Sequence, residues 1–67
     1  MNKFSERLKQ VLKDKNISQV ALANQIEMSR TIVNNYCTGK REPSLDALIL
    51  ISKALDESVD YLLGLEN

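Results

Sequence analysis

Apolar residues recur along this 67-residue chain at the three- and four-residue spacing of α-helices, and strand-like alternation is absent. At about 100° per residue, Phe4, Leu8, Val11 and Leu12 share one side of a segment spanning about 3–15, with Glu6, Lys9, Gln10 and Lys13 opposite. Asn16, which tolerates the left-handed conformation, ends that helix. Ser18 is a suitable N-cap for a second helix over 19–26, where Leu22, Ala23 and Ile26 share a face. After a break at Glu27-Met28, Ser29 opens a third helix over 30–37, which Gly39 closes. Residues 39–43 read as a loop, Ser44 caps a fourth helix over 45–55, and Ser58 caps a short fifth over 59–63 that stops at Gly64. The pattern predicts an all-α, compact single domain over 1–67, with no linker, repeat or low-complexity segment. In the fourth helix Leu45, Ala47, Leu48, Ile49, Leu50, Ile51, Ala54 and Leu55 surround most of the axis, and only Asp46 and Lys53 mark a polar stripe. That distribution predicts a central helix.

Composition narrows the chemistry. A chain of this length buries only about 60% of its unfolded surface, but 43% of its residues are apolar, enough for one core. There is no His and a single Cys, Cys37. An internal disulfide and a Cys/His zinc site are thereby excluded, and a reducing, cytoplasmic compartment is the natural expectation. No apolar run approaches the roughly 20 residues that span a bilayer, and the first six residues lack the apolar stretch of a signal peptide. Ser or Cys37 would have no His as base, and no glycine-rich phosphate loop exists. The expectation is a non-enzyme with no catalytic residue, metal, cofactor, membrane partner or small-molecule ligand.

Formal net charge is zero, nine cations against nine anions, which at first argues against a polyanion partner. The total conceals a division: residues 1–41 carry eight cations and three anions, net +5, and residues 42–67 carry one cation and six anions, net −5. Such asymmetry points to a partner for the basic half.

The third helix carries the most specific signal. Arg30, Thr31, Asn34, Asn35 and Thr38 fall on one side of the wheel and Ile32, Val33, Tyr36 and Cys37 on the other. The polar side contains no acid, although the chain has nine. Guanidinium, amide and hydroxyl groups can hydrogen-bond base edges in a major groove, and a Thr methyl can pack on thymine. A plain solvated face of an amphipathic helix has the same wheel. Two short Ser-capped helices joined by about three residues also fit a helix-turn-helix unit, with Ala23 small enough for their crossing.

At this point the chain resembles the phage repressor/Cro-type helix-turn-helix domain, the Xre family. The residues that carry the resemblance are Ser18-Gln19 with Leu22-Ala23, Ser29 with Val33, and Gly39-Lys40-Arg41-Glu42-Pro43-Ser44. They continue through Leu48, Ile51, Ala54-Leu55, and Ser58 with Asp60-Tyr61-Leu62-Leu63-Gly64, so that about residues 4–64 are covered. The resemblance implies a lambda-repressor-like five-helix fold whose second and third helices form the helix-turn-helix. It implies sequence-specific binding of a double-stranded DNA operator by a small transcriptional regulator, a repressor in the first instance, with the third helix in the major groove. By position, Arg30, Thr31, Asn34 and Asn35 would contact bases, and Gln19, Lys40 and Arg41 would contact phosphates. It further implies a homodimer, for which Leu50, Tyr61, Leu62 and Leu65 are candidate interface residues. An antitoxin or restriction-modification controller acting on its own operator, or a protein-interaction module on the same fold, remain alternatives.

Three departures from the family pattern carry expectations of their own. Glu27 stands where the turn usually has Gly, so it should adopt a left-handed conformation at some cost. Leu12 and Cys37 replace a family Arg–Glu pair, and both should be buried in mutual contact. Glu57 replaces an apolar residue before the fifth helix, which should loosen that corner.

Overall fold

The computed structural model describes residues 2–66 as five helices: α1 (Phe4–Lys15), α2 (Gln19–Ile26), α3 (Arg30–Thr38), α4 (Leu45–Leu55) and α5 (Val59–Leu63). Each boundary has a local cause. Ser18, Ser29, Ser44 and Ser58 sit in extended conformations, and each hydroxyl accepts a hydrogen bond from the backbone N–H three residues on. Those bonds satisfy donors that a helix start leaves unpaired. At the other ends Asn16, Glu27, Asp56, Gly39 and Gly64 are all left-handed. After α1, α2 and α5 the chain then locks back: Ile17, Met28 and Leu65 donate their N–H groups to Leu12, Ala23 and Asp60 at 2.8–2.9 Å. Ile17 and Met28 pack against the core at these turns, as apolar residues following a left-handed cap commonly do.

α1 packs against α3 and α5, α2 against α3 and α4, and α4 against α5. Their inward faces meet in one core, in which Leu8, Leu22, Val33, Ala47, Ile51 and Leu62 are fully buried. Ala23, at the crossing of α2, is also buried. Leu12 and Cys37 lie in this same core, on the packed helices α1 and α3, so no charge needs compensation there. Gly64 is a position that only glycine suits: its φ is +83°, and an added Cβ would sit 3.0 Å from the Lys3 side chain.

Two expectations fail in the packing. α4 is not enclosed on all sides. Its buried arc is Ala47, Leu48, Ile51 and Leu55, while Leu45 is 79% exposed and Ile49 and Leu50 are nearly half exposed. Five short helices offer α4 mainly α2 and α5 as partners, which cannot cover an axis that is apolar all round. The corner at Glu57 is also not loose. Its carboxylate pairs with Lys15 at 3.5 Å, and its carbonyl accepts a hydrogen bond from the Ser52 hydroxyl.

Glu27 does take the left-handed conformation, at φ 58°. A side chain there costs about 1–2 kcal/mol, and a glycine would return part of that through greater freedom of the unfolded chain. Glu27→Gly should therefore raise stability by about 0.5–1 kcal/mol, read as a higher urea midpoint at unchanged slope. An unchanged or lower midpoint would show that the turn carries no strain.

Candidate nucleic-acid interface

α3 is held by the face opposite its polar side chains. Val33, Tyr36 and Cys37 are buried and Ile32 is half-buried. Tyr36 stacks edge-on against Phe4, with ring centroids 6.2 Å apart, and its hydroxyl points at the Met28 sulfur, 3.9 Å away. These contacts fix the rotation of α3 about its axis. As a result Arg30, Thr31, Asn34 and Thr38 are exposed, and Asn35 is half-buried.

Gln19 lies beside this face. The first residue of α2, it accepts a hydrogen bond at its Oε1 from Asn34 Nδ2, at 3.2 Å. That bond joins the two helices of the turn motif through side chains on the open side. Gln19 is half-buried at the N-terminal end of α2, where unpaired backbone N–H groups favour an anion.

Lys40 and Arg41 follow directly, and both are exposed. The loop carrying them folds back onto α3, because the Arg41 N–H donates to the Asn35 carbonyl at 3.3 Å. The fold thus gathers Arg30, Thr31, Asn34, Asn35, Gln19, Lys40 and Arg41 on or beside α3.

The candidate pairing residues are not brought together in the same way. Leu62 is fully buried, which corrects its place among surface candidates: it is the residue that seats α5 on the core. Tyr61 is half-buried beneath a cation, the Arg7 guanidinium lying 4.4 Å from the ring centroid. Leu50 and Leu65 remain exposed, at 44% and 73%.

Charge is sorted less simply than the chain halves suggest. Arg7 donates to the carbonyls of Tyr61 and Glu66 at 3.1 and 3.0 Å, and Lys15 is paired with Glu57. Both cations therefore serve the acidic C-terminal segment. Of the basic half, Lys3, Lys9, Lys13, Arg30, Lys40 and Arg41 are left exposed. Lys9 is close enough for its charge to favour the Cys37 thiolate, yet burial outweighs it and pushes the thiol pKa up. Lys9 is thus an exposed cation on α1, the helix packed against α3, a relation that helical periodicity alone did not reveal.

A buried-backed helix with an acid-free polar face, a helix N-terminus alongside it and a cationic loop after it define a helix-turn-helix domain of the repressor type. The chain belongs to the helix-turn-helix family, whose model matches residues 8–62. It is 43% identical over 64 residues to the uncharacterized HTH-type transcriptional regulator YqaE of Bacillus subtilis, covering 96% of this chain and 55% of that protein. The chain thus spans little more than half the length of that relative. Among solved structures it superimposes on the restriction-modification controller protein C.AhdI of Aeromonas hydrophila with a TM-score of 0.84. Identity there is 32%, over 90% of this chain and 91% of the other. The P22 c2 repressor, solved in complex with a synthetic operator, gives a TM-score of 0.86 at 32% identity, over 94% and 96% of the two chains. No helix among the described residues is long and apolar enough to cross a membrane.

Proposed function

We propose that this domain binds double-stranded DNA at a selected sequence and regulates transcription there, acting as a repressor by occluding the site. The observation that carries the reading is the acid-free polar face of α3, exposed on one side and anchored on the other. In this reading Arg30, Thr31, Asn34 and Asn35 meet base edges, which select the sequence. Gln19, Lys40 and Arg41 meet phosphates, which set register and affinity. The likeness to the operator-bound P22 c2 repressor supports the same docking, and the likeness to C.AhdI supports a controller context equally well.

One small domain reaches few bases, so two copies would place their α3 helices in successive major grooves, about 34 Å apart. Leu50 and Leu65 offer exposed apolar surface for that pairing. Selection from random duplexes followed by footprinting should return two related half-sites about one helical turn apart, and failure to enrich any sequence would overturn the DNA reading. Sedimentation on the selected duplex should show two copies bound. A monomer both free and on a two-half-site duplex would remove the homodimer while leaving the DNA reading intact.

A further inference from the structure

Before α1, Asn2 uses both ends of its side-chain amide. Its Oδ1 accepts the Phe4 N–H at 2.9 Å, capping a helix whose own N-cap, Lys3, makes no side-chain bond. Its Nδ2 donates to Glu42 Oε2 at 3.1 Å, forty residues away in sequence. Both residues line a shallow cleft of about 60 Å³, whose walls also include Arg41, Gly39 and Tyr36. The start of α1 therefore leans on the loop that carries Lys40 and Arg41.

Glu42 is the one acid in that loop. A carboxylate next to Lys40 and Arg41, if free, would pair with either cation or repel a phosphate approaching them. An amide donor is what draws it toward α1 instead, since Asn is neutral and can donate at one end while accepting at the other.

Resting on the DNA-binding reading above, we propose that Asn2 is a positioning residue of the phosphate-contacting loop: by holding the Glu42 carboxylate against the start of α1, it leaves Lys40 and Arg41 free for the DNA backbone. Asn2 touches no DNA in this arrangement; it acts through Glu42.

The proposal separates cleanly from a capping role. Asn2→Asp keeps an acceptor for the Phe4 N–H but sets one carboxylate against another. Asn2→Ala removes both bonds. Glu42→Gln removes the charge that Asn2 is proposed to restrain. Affinity of the full chain for the selected duplex, followed by fluorescence anisotropy at two salt concentrations, should fall about two- to fivefold for Asn2→Ala and for Asn2→Asp. Glu42→Gln should bind at least as well as the parent, and Asn2→Ala/Glu42→Gln should bind as Glu42→Gln does. An undiminished Asn2→Asp, or a double variant as weak as Asn2→Ala, would overturn the proposal and leave Asn2 as a helix cap. Lys40→Ala serves as the control. If it weakens binding while the Asn2 variants do not, the positioning role alone fails; if it too is without effect, the loop's assignment to DNA fails and the positioning role falls with it.

Discussion

Leu62→Ala should destabilise the domain by about 2–5 kcal/mol, against a total that at this size is roughly 3–10 kcal/mol. Leu62 is fully buried and is the only buried residue of α5. A five-residue helix cannot persist by itself in water, so α5 keeps its place chiefly through that side chain, with Val59, Tyr61 and Leu63 packed partly against the core and Arg7 bonded to the carbonyls of Tyr61 within the helix and Glu66 after it. Truncating Leu62 leaves a cavity and releases this segment first, in advance of global unfolding. Leu65→Ala, at a position 73% exposed, should change stability by less than about 0.5 kcal/mol. Urea unfolding of the two variants separates core from surface, and equal midpoints would refute the packing described for α5.

Cys37 supplies a second measure of the same opening. It is 1% exposed, and burial raises its thiol pKa, so the folded protein presents neither access nor thiolate. Labelling by a thiol reagent should be slow in the parent and faster in Leu62→Ala. The sign of the pH effect follows from the same shift. The unfolded chain loses the thiol proton at lower pH than the folded one, so this group's contribution is complete below the ordinary thiol range and declines as pH rises through it.

The second large effect concerns recognition. Asn35→Ala should weaken binding to the selected site by about 1–3 kcal/mol, roughly five- to 150-fold, and relax sequence preference at one position. The fold should survive, because the contacts that Asn35 makes to Arg41 and Thr38 run through its backbone carbonyl, which Ala retains. Lys40→Ala should behave differently: weaker on all sequences alike, with the logarithmic salt slope shallower by about one. Competition titrations against unrelated duplex distinguish the two. If both variants bind the selected DNA as the parent does, α3 and its loop are not the recognition surface.

How much of this was legible before the fold was known depends on distance along the chain. The helix ends were, apart from the start of α1, because each of the others is decided within four residues by a serine cap or a left-handed residue such as Asn16. The separation of Arg30, Thr31, Asn34 and Asn35 from Val33, Tyr36 and Cys37 was legible for the same reason, being a property of one helix. The contacts of Arg7 with Tyr61 and of Asn2 with Glu42 were not. They join residues 54 and 40 apart, and nothing local marks the partners. Leu62 and Leu65 could not be told apart either, since α5 is too short for a period to establish which leucine faces inward. α4 misled in the opposite direction: it has more apolar residues than a small domain has helices to cover them, so periodicity overstated its burial.

α1 has a mechanical consequence. Twelve residues long, hence about 18 Å, it is packed against both α3 and α5 and also clasps the C-terminal segment through Arg7. It is a strut between the surface proposed for reading DNA and the one proposed for pairing. Rigid coupling of that kind leaves little slack between two copies on one duplex. Each added base pair between half-sites turns the second site by about 35° and moves it by about 3.4 Å, a displacement that bending of DNA would have to absorb. On the proposed pairing, a duplex is selected by the spacing of its half-sites as well as by their sequence.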